Sequence, residues 1–232
     1  MYFASVVPVV AAERRMNIGA LVAARGRGDG RLAWSAIFAK AWAAVAQEMP
    51  ELRRTYLSVP WPHLYEYPRS VAIIAIEREY AGEPVVLGCV IKDPGLLPVR
   101  EINQRIRTAA HVPIGASNDF RRVVRLAALP LLIRRAAMWI GLSLGGPRAN
   151  YFGTFAISAV AAFGGDLITP RSVWTTLLSY GVLDADGCLD VRITFDHRAV
   201  DGATIARALA RLEEILNGPV LSEVQTGSGQ GR

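Results

Sequence analysis

Segments with strand-like and helix-like hydrophobic patterns alternate along the chain. Val71 to Ile76 and Val85 to Ile91 are continuous apolar runs separated by Gly82-Glu83-Pro84, and they predict two buried strands. From Leu189 to Asp196, apolar and polar residues alternate, which predicts a strand with one buried face. Further strands are predicted at the valines between positions 6 and 10, at Tyr151–Ser158 and at Val173–Val182.

Three segments carry apolar residues at helical spacing. They are 34–49, which Pro50 ends, Val99–Ala110, and Thr204–Leu216, which Asn217-Gly218-Pro219 ends. The stretch around Trp61-Pro62-His63 is predicted to be a loop. We see no internal repeat, so we expect one α/β domain over residues 1–220 and a disordered tail over residues 221–232.

The segment Arg121–Gly146 differs in character from the rest of the chain. Five arginines flank two short apolar runs, and Pro130 is expected to break any helix between them. We expect this segment to shape a pocket or cover its entrance. A basic, apolar helix can also lie at a membrane interface, and that alternative remains open.

Composition narrows the class of protein. The 232 residues are 52% hydrophobic and 20% charged, which excludes an extended disordered chain. A net charge of +6 favours anionic partners. Aromatic residues are not interleaved with a basic run, so we expect no nucleic-acid binding. Cys89 and Cys188 are too few for a disulfide scaffold, no cluster has metal-ligand spacing, and no apolar stretch is long enough to span a bilayer. We expect a cytoplasmic protein without a bound metal.

The sequence Asp196-His197-Arg198-Ala199-Val200-Asp201-Gly202 lies between the alternating strand and the last predicted helix. Chance alone would place roughly 0.01 copies of its His-x-x-x-Asp-Gly pattern in a chain of this composition. A strand-to-helix turn projects side chains from a rigid sheet edge, where catalytic groups are common.

At this motif the chain resembles the acyltransferase catalytic domain of 2-oxoacid dehydrogenase complexes and, more distantly, chloramphenicol acetyltransferase. The segments Thr194–Ala203 and Gly153–Ser158 carry the two signatures, and the resemblance extends from about Val6 to Pro219. It departs from the family at Ala159-Val160-Ala161, where a family Asn-Leu-Gly follows the serine. The resemblance implies a two-layer sandwich, with a mixed sheet and helices mainly on one face, and a homotrimer whose active sites lie between subunits.

The resemblance also implies roles for individual residues. His197 is the general base, Ser158 donates a hydrogen bond to the oxyanion, and Asp201 completes the catalytic set. Arg198 and Gly202 support the site, Gly202 by letting the backbone turn tightly. A neutral imidazole suits proton abstraction near neutral pH, and a hydroxyl suits oxyanion stabilisation, so the chemistry is consistent with these roles.

Each assignment has a structural alternative. His197 can be a buried structural histidine, Ser158 an ordinary strand residue, and Asp201 the N-cap of the last helix, which is compatible with an indirect catalytic role.

Three functions stay open at this point. The first is acyl transfer from a thioester by direct attack, without an acyl-enzyme. The sequence contains no lipoyl domain, so we expect the acyl group to arrive on coenzyme A, a separate lipoyl domain or an acyl carrier protein. The second is acyl transfer to a lipid-like acceptor with peripheral membrane contact. The third is a non-catalytic trimeric scaffold.

Overall fold

The computed structural model describes residues 7–26, 32–158, 164–165, 170 and 172–228. Its strands are β1 (Val9–Asn17), β2 (Arg54–Leu57), β3 (His63–Glu66), β4 (Val71–Tyr80), β5 (Glu83–Lys92), β6 (Phe155–Ser158), β7 (Thr176–Tyr180) and β8 (Cys188–Asp196). Its α-helices are α1 (Gly19–Gly26), α2 (Trp34–Glu48), α3 (Val99–His111), α4 (Asn118–Ala127), α5 (Leu131–Ser143), α6 (Gly145–Phe152), α7 (Gly202–Ile215) and α8 (Leu221–Ser228).

The described strands form a six-stranded mixed sheet in the order β1-β8-β7-β6-β4-β5. Strand β6 runs parallel to both β4 and β7, and the other neighbours are antiparallel. Helices α2, α3 and α7 bury their apolar faces against one side of this sheet, where Trp42, Ile102 and Leu209 share a core with Ile74 and Ile193. The predicted two-layer α/β fold, with helices mainly on one face, is confirmed.

Part of the opposite face of the sheet is covered by α4, α5 and α6. The predicted break at Pro130 is confirmed, because Pro130 immediately precedes α5 and α4 ends at Ala127. The predicted strand Tyr151–Ser158 is too long, since α6 includes Phe152. Gly153 then turns the chain with φ +72°, and a Cβ there would come within 2.6 Å of the Ile73 side chain.

The predicted first strand is β1, which begins at Val9 and continues to Asn17. Trp61 and Pro62 lie in a loop, as predicted, but that loop joins β2 to β3 in a hairpin, and His63 is the first residue of β3. The predicted end of the last helix and the predicted disordered tail were wrong. Asn217-Gly218-Pro219 does not end the helical region, because a π-helical turn leads into α8. The tail is therefore helical to Ser228: Val224 is buried, and Glu223 lies 3.6 Å from the Lys40 ammonium. Residues 229–232 lie outside the described residues.

Candidate active site

His197 lies in the turn that joins β8 to α7. Its backbone amide donates a hydrogen bond to the carbonyl of Pro8 at 3.1 Å, which attaches the turn to the segment before β1. Its imidazole is exposed and packs edge-on against Phe195, with ring centroids 5.7 Å apart. Within the described part of the chain the ring has no hydrogen-bond partner, so it is not a buried structural histidine. Both ring nitrogens are available to a substrate or to a second copy of the chain.

The turn is held by an ion pair between Asp196 and Arg198. The Asp196 side chain is 5% exposed, and its two oxygens accept hydrogen bonds from Nε of Arg198 at 2.9 Å and from Nη2 at 2.8 Å. The backbone amide of Arg198 donates to the same carboxylate at 3.1 Å. The guanidinium also lies over the ring of Tyr56, 4.5 Å from its centroid. Arg198 therefore fixes the backbone beside His197, as a supporting residue would.

The sequence analysis did not assign a role to Asp196. The spacing of Asp196 and Arg198, two residues apart around the histidine, could have indicated their ion pair. Arg148 of α6 lies close enough to interact electrostatically with both members of this pair. Burial lowers the pKa of Arg148, and the nearby Asp196 carboxylate opposes that shift. The polar groups around the turn thus come from β8, β2 and the segment that covers the sheet.

Asp201 caps helix α7. Its Oδ1 accepts a hydrogen bond of 2.7 Å from the amide of Thr204, and that bond lowers the pKa of the carboxyl group. Gly202 is the first residue of α7, it does not have a positive φ, and a Cβ there would meet no atom within 4 Å. The expectation that Gly202 is needed for a tight turn is therefore wrong for the isolated chain, because a helical φ suits any residue.

Ser158 is the last residue of β6. It pairs with Ser179 of β7, and its side chain is partly exposed on the sheet face opposite the main helix layer. The hydroxyl has no hydrogen-bond partner among the residues that the structure describes. It is therefore available to donate to a ligand. Positions 159–161, where the sequence departs from the family, lie outside the described residues.

One chain does not bring His197 and Ser158 together. Phe155, Thr176 and Phe195 lie side by side across β6, β7 and β8. Ser158 lies three residues beyond this row in one direction, and His197 lies two residues beyond it in the other. With about 3.3 Å per residue and 4.8 Å between strands, the two are separated by roughly 15–20 Å. A site that uses both groups needs a second copy of the chain.

A large cavity lies between the sheet and the covering helices α4–α6. Its volume is about 1210 Å³, and Ser158 forms part of its wall, whereas His197 does not. Met138 and Ile140 of α5 also line it, so the expectation that this segment shapes a pocket is confirmed. The other side of α5 is exposed: Trp139 is 51% exposed and Leu132 is 78% exposed.

Other reactive groups lie away from these features. Cys89 is buried against the main helix layer, and burial raises the pKa of its thiol to about 12. In the described ranges no group of three His, Cys, Asp or Glu side chains is placed to hold a metal ion. None of the described helices is long and apolar enough to cross a membrane.

No protein-family model and no curated protein sequence matches the chain. Several solved structures match it. Dihydrolipoamide acetyltransferase from Azotobacter vinelandii superimposes on this chain with a TM-score of 0.65 at 19% identity, and the match covers 95% of this chain and 86% of that one. The chain has the fold of the dihydrolipoamide acetyltransferase catalytic core.

Two further structures share this acetyltransferase fold. The truncated catalytic core of the 2-oxoacid dehydrogenase complex from Thermoplasma acidophilum matches with a TM-score of 0.63 at 18% identity, over 93% of this chain and 89% of that one. Chloramphenicol acetyltransferase matches with a TM-score of 0.54 at 16% identity, over 93% of this chain and 92% of that one. The Azotobacter enzyme has been investigated for the role of a serine, a histidine and an asparagine in its catalytic mechanism, and the asparagine follows the histidine by four residues.

Proposed function

We propose that the protein transfers an acyl group from a thioester to an acceptor, at a site formed by His197 of one copy and Ser158 of another. The observation that supports this most is the position of the two groups on an acetyltransferase fold. Both side chains have no hydrogen-bond partner among the described residues, and both are accessible, but they lie at opposite ends of the sheet. Asp201 follows His197 by the same four residues that separate the asparagine from the histidine in the Azotobacter enzyme.

The reaction follows from the chemistry of these side chains. The neutral imidazole of His197 accepts the proton of the acceptor's thiol, hydroxyl or amine as that atom attacks the thioester carbonyl. The carbonyl oxygen becomes an oxyanion, to which the hydroxyl of Ser158 donates a hydrogen bond. The tetrahedral intermediate then breaks its carbon–sulfur bond, and the departing thiolate takes the proton from the imidazolium of His197. The enzyme returns to its starting state without an acyl-enzyme.

Asp201 and the Asp196–Arg198 pair are positioning residues in this proposal. Asp201 fixes the start of α7, and the ion pair fixes the backbone on both sides of His197. Neither carboxylate forms a hydrogen bond or an ion pair with the imidazole in the described part of the chain. Their contribution is therefore to orient the base, which lowers the entropy that must be lost on reaching the transition state.

We also propose the oligomer and the donors that this site needs. A closed ring of three copies would give three equivalent interfaces, each with one His197 and one Ser158. Coenzyme A, a separate lipoyl domain and an acyl carrier protein each present the acyl group as a thioester. The net charge of +6 fits the anionic character of coenzyme A and of acidic carrier domains. The two free thiols fit a reducing cytoplasm.

The test is thiol release from a panel of acyl-coenzyme A donors with thiol, alcohol and amine acceptors. His197→Ala is expected to abolish acceptor-dependent release, and Ser158→Ala to lower turnover by about 100- to 1,000-fold with little change in donor affinity. His111→Ala is the matched control, because His111 is also exposed and bonds only to its own helix. Unchanged turnover in His197→Ala, with its circular dichroism spectrum intact, would refute the catalytic role and favour the scaffold function.

We infer a second candidate from the outer surface of α5, in which acyl transfer takes place at a membrane. No residue of α5 is buried, and Leu131, Leu132 and Ile133 are 51%, 78% and 56% exposed next to Arg134 and Arg135. Exposed apolar side chains beside arginines are typical of helices that bind anionic lipid surfaces. Such contact would bring a lipid-like acceptor to the covering segment.

A further inference from the structure

Small side chains lie in a row on the sheet face that forms the cavity floor. Ala75 of β4 pairs with Gly88 of β5. Ile74 pairs with Ile157, so continuing the parallel register by one residue places Ala75 beside Ser158. Because side chains alternate between faces, Gly88, Ala75 and Ser158 point to the same side of the sheet. The lack of bulk at Ala75 leaves space on the cavity floor next to Ser158, and the Ile73 side chain packs against Gly88, 2.8 Å from where a Cβ would stand.

The roof of the cavity is almost entirely apolar. It consists of side chains of α4–α6, among them Leu126, Leu129, Met138, Ile140 and Leu144. In the described residues, the lining side chains that carry a polar group are those of Asp119, Arg122, Arg125, Asn150, Tyr151, Ser158 and Trp174. Several of these already have partners. Asp119 accepts a hydrogen bond from the amide of Val90, the Arg122 guanidinium lies 5.6 Å from the ring centroid of Tyr151, and Asn150 and Trp174 donate to the backbone carbonyls of Gly146 and Phe152.

The size and chemistry of this space restrict its occupant. Its volume of about 1210 Å³ exceeds the roughly 300–1,000 Å³ of common small-molecule sites. Ordered water needs two to four polar partners, which most of this lining does not offer. An acetyl group placed at Ser158 would contribute a single methyl group and leave nearly the whole cavity unfilled. A flexible hydrocarbon chain matches both the apolar lining and the size of the cavity.

We propose that the cavity holds the alkyl chain of a medium- or long-chain acyl donor, with the reacting carbonyl at Ser158 and the chain lying over Ala75 and against the apolar roof. The inference rests on the proposed acyl transfer, and it assigns the substrate class and a specificity-determining residue, Ala75. A larger side chain at Ala75 would fill the space next to Ser158. It would exclude long chains while leaving room for an acetyl group.

The first experiment measures binding alone, by titration calorimetry with dodecanoate and butanoate below the micellar concentration. Dodecanoate is expected to bind at least about 100-fold more tightly than butanoate, since each buried methylene strengthens binding by about fourfold before losses. Ala75→Phe is expected to weaken dodecanoate binding at least tenfold. Ala136→Phe adds the same bulk to an exposed position of α5 outside the cavity lining and is expected to change nothing.

The second experiment measures transfer from acetyl-, butyryl- and dodecanoyl-coenzyme A. Wild type is expected to prefer the dodecanoyl donor, and Ala75→Phe to prefer the short donors. If Ala75→Phe does not fold, Met138→Trp takes its place: it fills the cavity from the roof and is also expected to shift the preference to short donors. Equal binding of the two fatty acids, or equal effects of Ala75→Phe and Ala136→Phe, would overturn the inference. Failure of the proposed function looks different, because fatty-acid binding would persist while no donor was turned over.

Discussion

Removing the guanidinium of Arg198 should destabilise the fold by an amount that the geometry of its ion pair determines. In Arg198→Ala the Asp196 carboxylate, whose side chain is 5% exposed, loses both side-chain hydrogen bonds and its counter-charge. Breaking a fully buried ion pair in this way costs about 3–5 kcal/mol. The cost here is smaller, because the Arg198 side chain is 32% exposed and Asp196 keeps the backbone amide of residue 198. We expect about 2 kcal/mol.

The assay is thermal and urea unfolding followed by circular dichroism. For a protein of this size, 2 kcal/mol corresponds to a Tm lower by about 4–8 °C. Arg105→Ala is the control, since its partner Glu101 lies at a similar distance, 2.7 Å, but both side chains are nearly half exposed. That variant should lose less than about 0.5 kcal/mol.

The double variant Asp196→Asn with Arg198→Ala distinguishes the orphaned charge from lost packing. If the unpaired carboxylate is the cause, the double variant should recover about half of the lost stability, because a neutral amide is less costly to bury. A loss below 0.5 kcal/mol in Arg198→Ala would show that the Asp196 carboxylate does not depend on this guanidinium. So would a double variant less stable than the single one.

Three further outcomes are expected. Asp201→Ala should lower Tm at neutral pH, whereas Asp201→Asn, which keeps the cap, should not. Because folding lowers the pKa of the Asp201 carboxyl group, the Tm difference between wild type and Asp201→Ala should be complete above the ordinary pKa of 3.8 and should disappear as the pH falls below that value. Melting curves between pH 3 and 7 would show this. Ellman's reagent should leave Cys89 unmodified in the native protein at pH 8, because its pKa is raised to about 12, and should reach it only after unfolding; rapid modification of the native Cys89 would contradict this. Leu132→Glu should reduce co-sedimentation with anionic vesicles, whereas Leu96→Glu, at a similarly exposed leucine outside α5, should not. Equal binding by both variants would remove the case for membrane contact.

Local pattern predicted most elements of the main sheet and its helix layer, because each has a one-sided or continuous apolar sequence. The alternation from Leu189 to Asp196 predicted β8, and Pro130 predicted the division between α4 and α5. Elements held by long-range contacts were missed. The second half of β1 contains consecutive charged residues, and it is stabilised by pairing with β8, where Glu13 lies opposite Arg192. Helix α8 depends on the burial of Val224 and on the ion pair of Glu223 with Lys40.

The candidate site shows the same division between local and long-range information. The motif around His197 and the serine at the end of β6 are local, so the sequence alone identified both. Their separation depends on the strand order β8-β7-β6 and on the register of each pair, neither of which is encoded near the residues themselves. The sequence indicated the segment that covers the cavity but not its floor, since the small floor residues are distributed over three strands.

A subunit-mixing experiment tests most directly that the active site is shared between copies of the chain. His197→Ala and Ser158→Ala chains are mixed in equal amounts, unfolded and refolded together, and assayed for acyl transfer. In a ring with one His197 and one Ser158 at each interface, about one quarter of the interfaces would carry both intact groups. We therefore expect about a quarter of the wild-type activity from two variants that are nearly inactive alone. A mixture no more active than its components, although it assembles like wild type, would contradict the shared site.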